Sequence, residues 1–205
     1  MSPSAALKQN TKGEETRSQI LAAAVQQASR CGFESLTIGT LAEKTGLSKS
    51  GLFAHFGSKQ DLQLAALEEA ARMFTDEVFR PALKAPRGVK RLKALIENWV
   101  SWPQRANLPG GCPVDQATRE YMHTPGPMRE AAIARQHQLD RELTRAVQLA
   151  IDAGELAKKT DARQMAYELV AIVLASYRVT PLRGEDEGYK FAHAAFDRLI
   201  EANRP

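Results

Sequence analysis

Proline and glycine recur along this chain at intervals that limit where helices can begin and end. Between them, nearly every stretch carries apolar residues at three- and four-residue steps, the spacing that lines one face of an α-helix. The sequence shows no convincing strand pattern and no internal repeat. It therefore predicts an all-α protein of about nine helices.

Polar caps and glycine stops give the expected helix boundaries. The predicted helices span residues 16–31, 37–46, 48–57, 58–81, 89–102, 114–123, 127–153, 161–180 and 187–202. Pro81, Pro103 and Pro181 are expected to end three of them, because an interior proline removes a backbone hydrogen bond and clashes with the preceding turn.

Composition sets the class of protein. The 205 residues are 43% hydrophobic and 25% charged, values that exclude collagen-like, low-complexity and mainly disordered chains. The longest strongly apolar run, Leu169 to Ala175, is far shorter than the roughly 18 residues of a membrane helix. Residues 1–13 lack the continuous apolar core of a secretory signal. We therefore expect a cytoplasmic protein with no membrane span.

Positive charge is concentrated at the N-terminal end. Residues 1–60 hold seven Lys and Arg against four acidic residues, which accounts for +3 of the net charge of +4. An acidic partner is therefore expected to bind at this end of the chain.

The segment 37–56 has the pattern of two short helices joined by a tight turn through residues 45–47. Gly46 can adopt a positive φ at the corner without a Cβ penalty. A small shared core is available from Leu41, Ala42, Leu47, Leu52 and Phe56. This pattern predicts a helix-turn-helix, whose second helix can enter the major groove of double-stranded DNA.

Several polar residues of this segment are candidates for contact with DNA. Thr37 and Ser48 stand at helix N-termini, where their hydroxyls can bind phosphate oxygens, cap the helix, or do both. Lys49 and Ser50 occupy the first turn of the recognition helix, where side chains reach base edges. Gly51 lets the backbone approach DNA closely.

Two further candidates follow. His55 either reaches outward or packs inside the head. Lys59, at the start of the fourth helix, is expected to pair with phosphate.

These residues resemble a known family. The pattern Thr37, Leu41-Ala42, Gly46-Leu47-Ser48, Gly51-Leu52-Phe53, His55-Phe56 and Ser58-Lys59 is similar to that of the TetR family of ligand-controlled transcriptional regulators. The likeness is specific over residues 16–67, and beyond it rests on the helical layout and on the segments 110–113 and 125–129. Where many relatives have tyrosine this chain has Phe53, so a phenolic hydroxyl for phosphate is missing, while contact with a thymine methyl or a sugar is still possible.

The resemblance implies a two-part chain. We expect a flexible tail at 1–13, a DNA-binding domain at 14–60 and a helical ligand-binding and dimerisation domain at 61–205. Large side chains of the last part could line an apolar cavity, with ordinary core packing as the alternative. The candidates are Phe74, Trp99, Trp102, Tyr121, Met122, Met128, Tyr167, Val170, Leu174 and Tyr177.

The eighth predicted helix is apolar nearly all round over 169–175, so both of its sides must be covered. A second copy of the chain is expected to cover one side and to place two recognition helices about one DNA turn apart. The expected interface residues are Leu169, Val173, Phe191, Ala195 and Leu199.

The sequence offers no centre for catalysis, for a metal or for a cofactor. It lacks a phosphate-cradling glycine loop, a nucleophile elbow and an HExxH motif. The set Cys112, Glu120, His123 and His137 does not have a familiar metal-ligand spacing. Cys112 could suit a redox sensor, but no basic neighbour is there to stabilise a thiolate, so a local structural role is favoured.

We therefore expect a homodimeric repressor that leaves a palindromic operator when a largely apolar small-molecule inducer enters the C-terminal cavity. Two alternatives stay open: an activator of the same family, and a helical small-molecule-binding protein or enzyme that binds no operator. The outward polar set at positions 48–50 and 55 argues against the second, since a protein that does not bind DNA has no reason to expose it.

Overall fold

The computed structural model describes residues 12–205, and nine helices make up most of that part of the chain. They are α1 (Lys12–Cys31), α2 (Ile38–Thr45), α3 (Lys49–Phe56), α4 (Lys59–Phe74, continued by Thr75–Phe79 and Arg80–Ala82), α5 (Val89–Arg105), α6 (Pro113–Tyr121), α7 (Pro127–Asp152), α8 (Ala162–Arg183) and α9 (Glu185–Ala202). Residues 12–205 contain no strand, and the all-α prediction is confirmed. The predicted tail lies outside the described residues for positions 1–11, whereas Lys12 and Gly13 belong to α1, which begins before the predicted Thr16.

The prediction that Pro81 ends the fourth helix is wrong. α4 widens into a π-helical turn over Thr75–Phe79 and continues to Ala82, with Pro81 inside it. Proline has no amide hydrogen to donate to a carbonyl one turn back. The carbonyl of Glu77, four residues before Pro81, instead accepts a hydrogen bond of 3.0 Å from Nη2 of Arg105 on α5. A side chain from another helix therefore replaces the missing backbone donor.

Pro103 and Pro181 also lie inside helices, and the predicted ends at these residues are wrong as well. α5 continues past Pro103 to Arg105, and α8 continues past Pro181 to Arg183. The carbonyl of Trp99, four residues before Pro103, accepts a hydrogen bond of 2.8 Å from the hydroxyl of Tyr177 on α8. The proline in α5 thus leaves a carbonyl free for a contact between helices.

The helices form a small N-terminal head and a larger C-terminal body that share α4. In the head, α1, α2, α3 and the start of α4 enclose Ile20, Leu41 and Leu52, which are fully buried. α4 then enters the body, where the ring of Phe74 packs edge-on against Trp99 and Trp102, with centroids 5.3 and 5.0 Å apart. One helix therefore connects the core of the head to the core of the body.

The loop before α6 makes a second contact between body and head. The hydroxyl of Ser29 on α1 donates to the carbonyl of Gly111 at 2.9 Å and accepts from the amide of Gly110 at 3.1 Å. A Cβ on Gly110 would lie 1.6 Å from the carbonyl oxygen of Ser29. Only glycine fits at this position, because the obstacle is backbone.

We expect Gly110→Ala to destabilise the protein by about 1–3 kcal/mol, since the loop and α1 must separate to admit a methyl group. Gly39→Ala is the matched control, because its Cβ would meet only side-chain atoms at 3.7 and 3.8 Å and it lies inside α2. Urea denaturation followed by circular dichroism measures both variants. Equal stability of the two variants would contradict this account of Gly110.

Candidate DNA-reading surface and small-molecule cavity

The corner between α2 and α3 is fixed by caps at both helix starts. The Thr37 hydroxyl accepts from the amide of Thr40 at 3.1 Å, and the Ser48 hydroxyl accepts from the amide of Gly51 at 3.1 Å. Gly46 ends α2 with φ 71°, the left-handed conformation that favours glycine. Both short helices therefore begin and end at the predicted residues.

The two faces of α3 differ in exposure. Leu52 and Phe56 point into the head and are 0% and 5% exposed. Lys49, Ser50 and Phe53 lie on the exposed face. α3 therefore presents a polar N-terminal turn and one aromatic ring to solvent, the geometry that reading a major groove requires.

The other predicted DNA contacts are less exposed or already have partners. The side chain of Thr37 caps α2, and Gly51 and His55 are half-buried. The ammonium of Lys59 is exposed and pairs with Oε2 of Glu34 at 2.7 Å. A phosphate that binds Lys59 must therefore compete with Glu34.

Glu34 also connects the head to the body. Its Oε1 accepts a hydrogen bond of 2.8 Å from the hydroxyl of Tyr121, the last residue of α6. The hydrogen bonds from Lys59 and Tyr121 hold the pKa of Glu34 below its ordinary value. Burial and the bond to Glu34 raise the pKa of Tyr121. Tyr121 was predicted to bind ligand, but it lies where α6 meets the head.

Glu120, the neighbour of Tyr121, binds the backbone of the head. Its carboxylate accepts from the amides of Phe33 and Glu34, each at 2.7 Å. These amides directly follow Gly32, which has φ 81°. The C-terminal end of α6 is thus held against the turn that follows α1.

A cavity of about 530 Å³ lies in the body between α4, α6, α7 and α8, with Trp99 of α5 in its wall. Its apolar wall contains four aromatic rings, Phe74, Phe79, Trp99 and Tyr177. Charged side chains also line it: Glu68, Arg72, Asp76, Arg80, Asp115, Arg135 and Glu142. An aromatic and apolar wall is typical of small-molecule sites, and the charged side chains add groups that can select a ligand by charge.

About half of the predicted ligand residues line this cavity. They are Phe74, Trp99, Val170, Leu174 and Tyr177. The other predicted ligand residues do not line the cavity. Trp102 is fully buried behind Phe74, Met128 lies in the core, and Tyr121 faces Glu34. Met122 and Tyr167 lie on the surface away from the cavity.

The predicted dimer residues also fall into two groups, which differ in exposure. Leu169 and Val173 are 0% exposed because they face the core of their own body, so they are not available to a second copy. Phe191 is exposed, and Ala195 and Leu199 are half-buried.

By length and composition Ala162–Arg183 could cross a membrane, although core helices of soluble proteins pass the same test, and 28% of its most apolar window is buried.

The sequence prediction missed two residues that line the cavity. Cys112 directly precedes α6 and is buried. Burial raises the pKa of its thiol to about 12, so it is not a thiolate at neutral pH. Asp115 lines the cavity one turn later, and burial raises its pKa although Arg119 opposes this. The Gly-Gly-Cys-Pro segment at residues 110–113, which leads into α6, is the one signal in the sequence that marks this region.

A helix-turn-helix head on a helical body that holds a cavity is the architecture of a DNA-binding regulator that responds to a ligand. Residues 20–66 match the family described as bacterial regulatory proteins, tetR family, and residues 88–196 match the family described as tetracyclin repressor-like, C-terminal domain. The chain belongs to the TetR family of transcriptional regulators, as its motif predicts. The family is a regulatory one.

Curated relatives match over part of their length. The HTH-type transcriptional repressor AcnR of Corynebacterium glutamicum is 43% identical over 63 residues, which cover 30% of this chain and 34% of the relative. AcnR of Corynebacterium efficiens is 43% identical over 94 residues, or 42% and 50% of the two chains. The chain thus spans a third to a half of the length of these relatives.

Solved structures match along nearly the whole chain. A TetR regulator from Chloroflexus aurantiacus has a TM-score of 0.80 at 28% identity and covers 93% of this chain and 94% of its own. A TetR-family regulator from Cytophaga hutchinsonii has a TM-score of 0.80 at 19% identity and covers 96% and 98%. AibR, solved with isovaleryl coenzyme A and operator DNA, has a TM-score of 0.72 at 21% identity and covers 90% and 98%.

Glu34→Gln tests the contact between head and body. The pKa of Glu34 lies below its ordinary 4.5, so its carboxylate stabilises the folded protein above that pH, and this contribution is lost as the pH falls through the lowered value. At neutral pH the variant should be less stable by up to about 1 kcal/mol, since the pair with Lys59 is exposed. In acid the difference should disappear.

Urea denaturation between neutral and acidic pH measures this difference. Glu43→Gln is the control, because Glu43 is exposed on α2 and has no ion-pair partner in the described part of the chain. A destabilisation by Glu34→Gln that persists unchanged in acid would show that the charge of Glu34 is not the cause.

Proposed function

We propose that this protein is a homodimeric cytoplasmic repressor that leaves a palindromic operator when a small molecule enters the cavity of the body. One observation carries the proposal: α4 runs without interruption from Lys59, beside the reading helix, to Phe74 and Phe79 in the cavity wall. A compound that displaces these rings acts on the same rigid element that supports the head.

The head supplies two kinds of contact to DNA. Lys49 and Ser50 project from the first turn of α3 and are the side chains that can reach base edges. The exposed ring of Phe53 fits a thymine methyl or a sugar. Ser48 and Thr37 mark helix N-termini, whose amides favour phosphate oxygens.

Lys59 can contact a DNA phosphate if it exchanges its partner Glu34 for that phosphate. Its pair with Glu34 is exposed, so giving it up costs less than about 1 kcal/mol. Contact with a DNA phosphate can replace that pair and releases a counterion. Glu34 is then left with Tyr121, so binding to DNA alters the contact between head and body.

A second copy is the partner that best fits the exposed apolar face of α8 and α9. Tyr167 and Leu182 on α8 are 70% and 73% exposed, and Phe191 on α9 is 47% exposed. Two such faces packed together would bury these side chains in a bundle of four helices. The interface thus uses the side of α8 opposite to the buried Leu169 and Val173.

Two helices can transmit the state of the cavity to the head. α4 does so through its π-helical turn, which lines the cavity. α6 does so because its first turn lines the cavity at Val114 and Asp115 while Glu120 and Tyr121 hold the head. A ligand acts by favouring the arrangement that does not fit DNA, and near-complete switching needs about 5.5 kcal/mol of differential binding.

Two lysine substitutions separate the two kinds of DNA contact. Lys49→Ala should reduce discrimination between the operator and mutated operators by about 1–3 kcal/mol. Lys59→Ala should weaken binding to all sequences alike and reduce the slope of log affinity against log salt by about 0.9. Gel shifts with DNA that flanks the coding region of this protein identify the operator and measure both effects.

The control is Lys158→Ala, an exposed lysine in the loop between α7 and α8 of the body, which should leave binding unchanged. Unchanged operator selectivity in Lys49→Ala would remove Lys49 from the base contacts. Absence of any shift by the unmodified protein would contradict the proposed function itself.

Phe191→Glu tests the dimer face. Placing a carboxylate on the apolar face of α9 should shift the protein from dimer to monomer in analytical ultracentrifugation and reduce operator affinity with it. Met122→Glu, on an exposed apolar residue after α6, should leave the dimer intact. A dimer that survives Phe191→Glu would place the interface elsewhere.

A further inference from the structure

Each cation that lines the cavity already faces a carboxylate. Three arginines contribute to the wall, and all of them form ion pairs within the described residues. The pairs are Arg72 with Glu69 and Asp76, Arg80 with Asp76, and Arg135 with Glu68. An anionic ligand that binds one of these arginines must therefore displace the carboxylate that already pairs with it.

Two uncharged side chains in the wall already donate to other protein groups, whereas the buried indole N–H of Trp99 has no hydrogen-bond partner among the described residues. The hydroxyl of Tyr177 donates to the carbonyl of Trp99 at 2.8 Å. The side-chain amide of Gln136 donates to the hydroxyl of Thr118 at 2.9 Å. What these two side chains still offer to the cavity is mainly acceptor oxygen.

The negative charges of two carboxylates in the wall have little or no positive charge beside them. Glu142 has no ion-pair or hydrogen-bond partner between residues 12 and 205. Asp115 is half-buried, and its ion-pair partner is Arg119, at 3.1 Å, whose side chain is 63% exposed. Burial raises the pKa of Asp115 even though Arg119 lies beside it, which indicates that its negative charge lacks compensation.

We propose that the ligand of this cavity is an aromatic cation, with its positive charge on Asp115 and its rings against Phe74, Trp99 and Tyr177. This rests on the proposed function, which it deepens by naming a ligand class. A cation gains from both carboxylates and from the faces of the aromatic rings. An anion, such as a carboxylate or a phosphate ester, would meet Asp115 and Glu142, and every lining cation that could offset them already has a carboxylate partner.

Three dyes test this ligand class. Rhodamine 6G and fluorescein share a xanthene ring system, and the first is a cation while the second is an anion. N-phenyl-1-naphthylamine is uncharged and reports whether an apolar compound can enter the cavity at all. Fluorescence titrations of the full-length protein measure the affinity for each dye.

We expect rhodamine 6G to bind at least about tenfold more tightly than fluorescein, the factor that corresponds to about 1.4 kcal/mol. Asp115→Asn should reduce the affinity for rhodamine 6G about tenfold, since it removes a partly buried charged partner. Glu142→Gln should reduce it about threefold, because Glu142 is exposed and solvated.

Glu130→Gln is the matched control, because Glu130 is an exposed carboxylate on the same helix as Glu142 but does not line the cavity. It should leave the affinity for rhodamine 6G unchanged. The affinity for N-phenyl-1-naphthylamine should be the same in all variants, which shows that each retains a folded cavity. Should Asp115→Asn fail to fold, Glu142→Gln alone still decides the role of charge.

The outcomes separate the two proposals. Uptake of N-phenyl-1-naphthylamine without a preference for rhodamine 6G over fluorescein would overturn the ligand class and leave the ligand-responsive cavity standing. Equal rhodamine affinity in Asp115→Asn, Glu142→Gln and the unmodified protein would do the same. Failure of all three dyes to bind would overturn both the ligand class and the use of this cavity for small molecules.

Discussion

The carboxylate of Glu120 makes the strongest of the charged contacts between the head and the body. It accepts from two successive backbone amides of the head at 2.7 Å, and hydrogen bonds to a charged group are worth about 1.5–3 kcal/mol each. The nearby pair of Lys59 with Glu34 is exposed and contributes less than about 1 kcal/mol. Of these two contacts, the one from Glu120 to the backbone is therefore the stronger, and Lys59 can exchange partners without loss of it.

Local signals predicted most of the helix starts and stops. The cap at Ser48 and the left-handed Gly46 act within one turn of the residues that they order, so the sequence contains all the needed information. Local signals did not predict that α4 and α5 continue past Pro81 and Pro103. Each proline lies inside a helix because a side chain on another helix, Arg105 or Tyr177, donates to the freed carbonyl, and such a partner is set by the tertiary fold.

The candidate sites were also predictable to different degrees, because some depend on local sequence patterns and others on the tertiary fold. Helical periodicity separated the inward Leu52 from the outward Lys49, since only one small core was available to α3. For α8, periodicity indicated two covered sides but not which one faces its own core, so Leu169 was assigned to the wrong side. Large side chains in the body were expected to surround a cavity, yet size alone does not distinguish Trp99 in its wall from Trp102 behind it.

Both tryptophans of the chain, Trp99 and Trp102, pack on Phe74 in the body, and none lies in the head. Intrinsic emission excited at indole wavelengths therefore reports on the environment of the body alone. If the head melts first, helical ellipticity will fall while the emission maximum stays where it is. Agreement between the two signals would instead indicate that head and body unfold as a single cooperative unit.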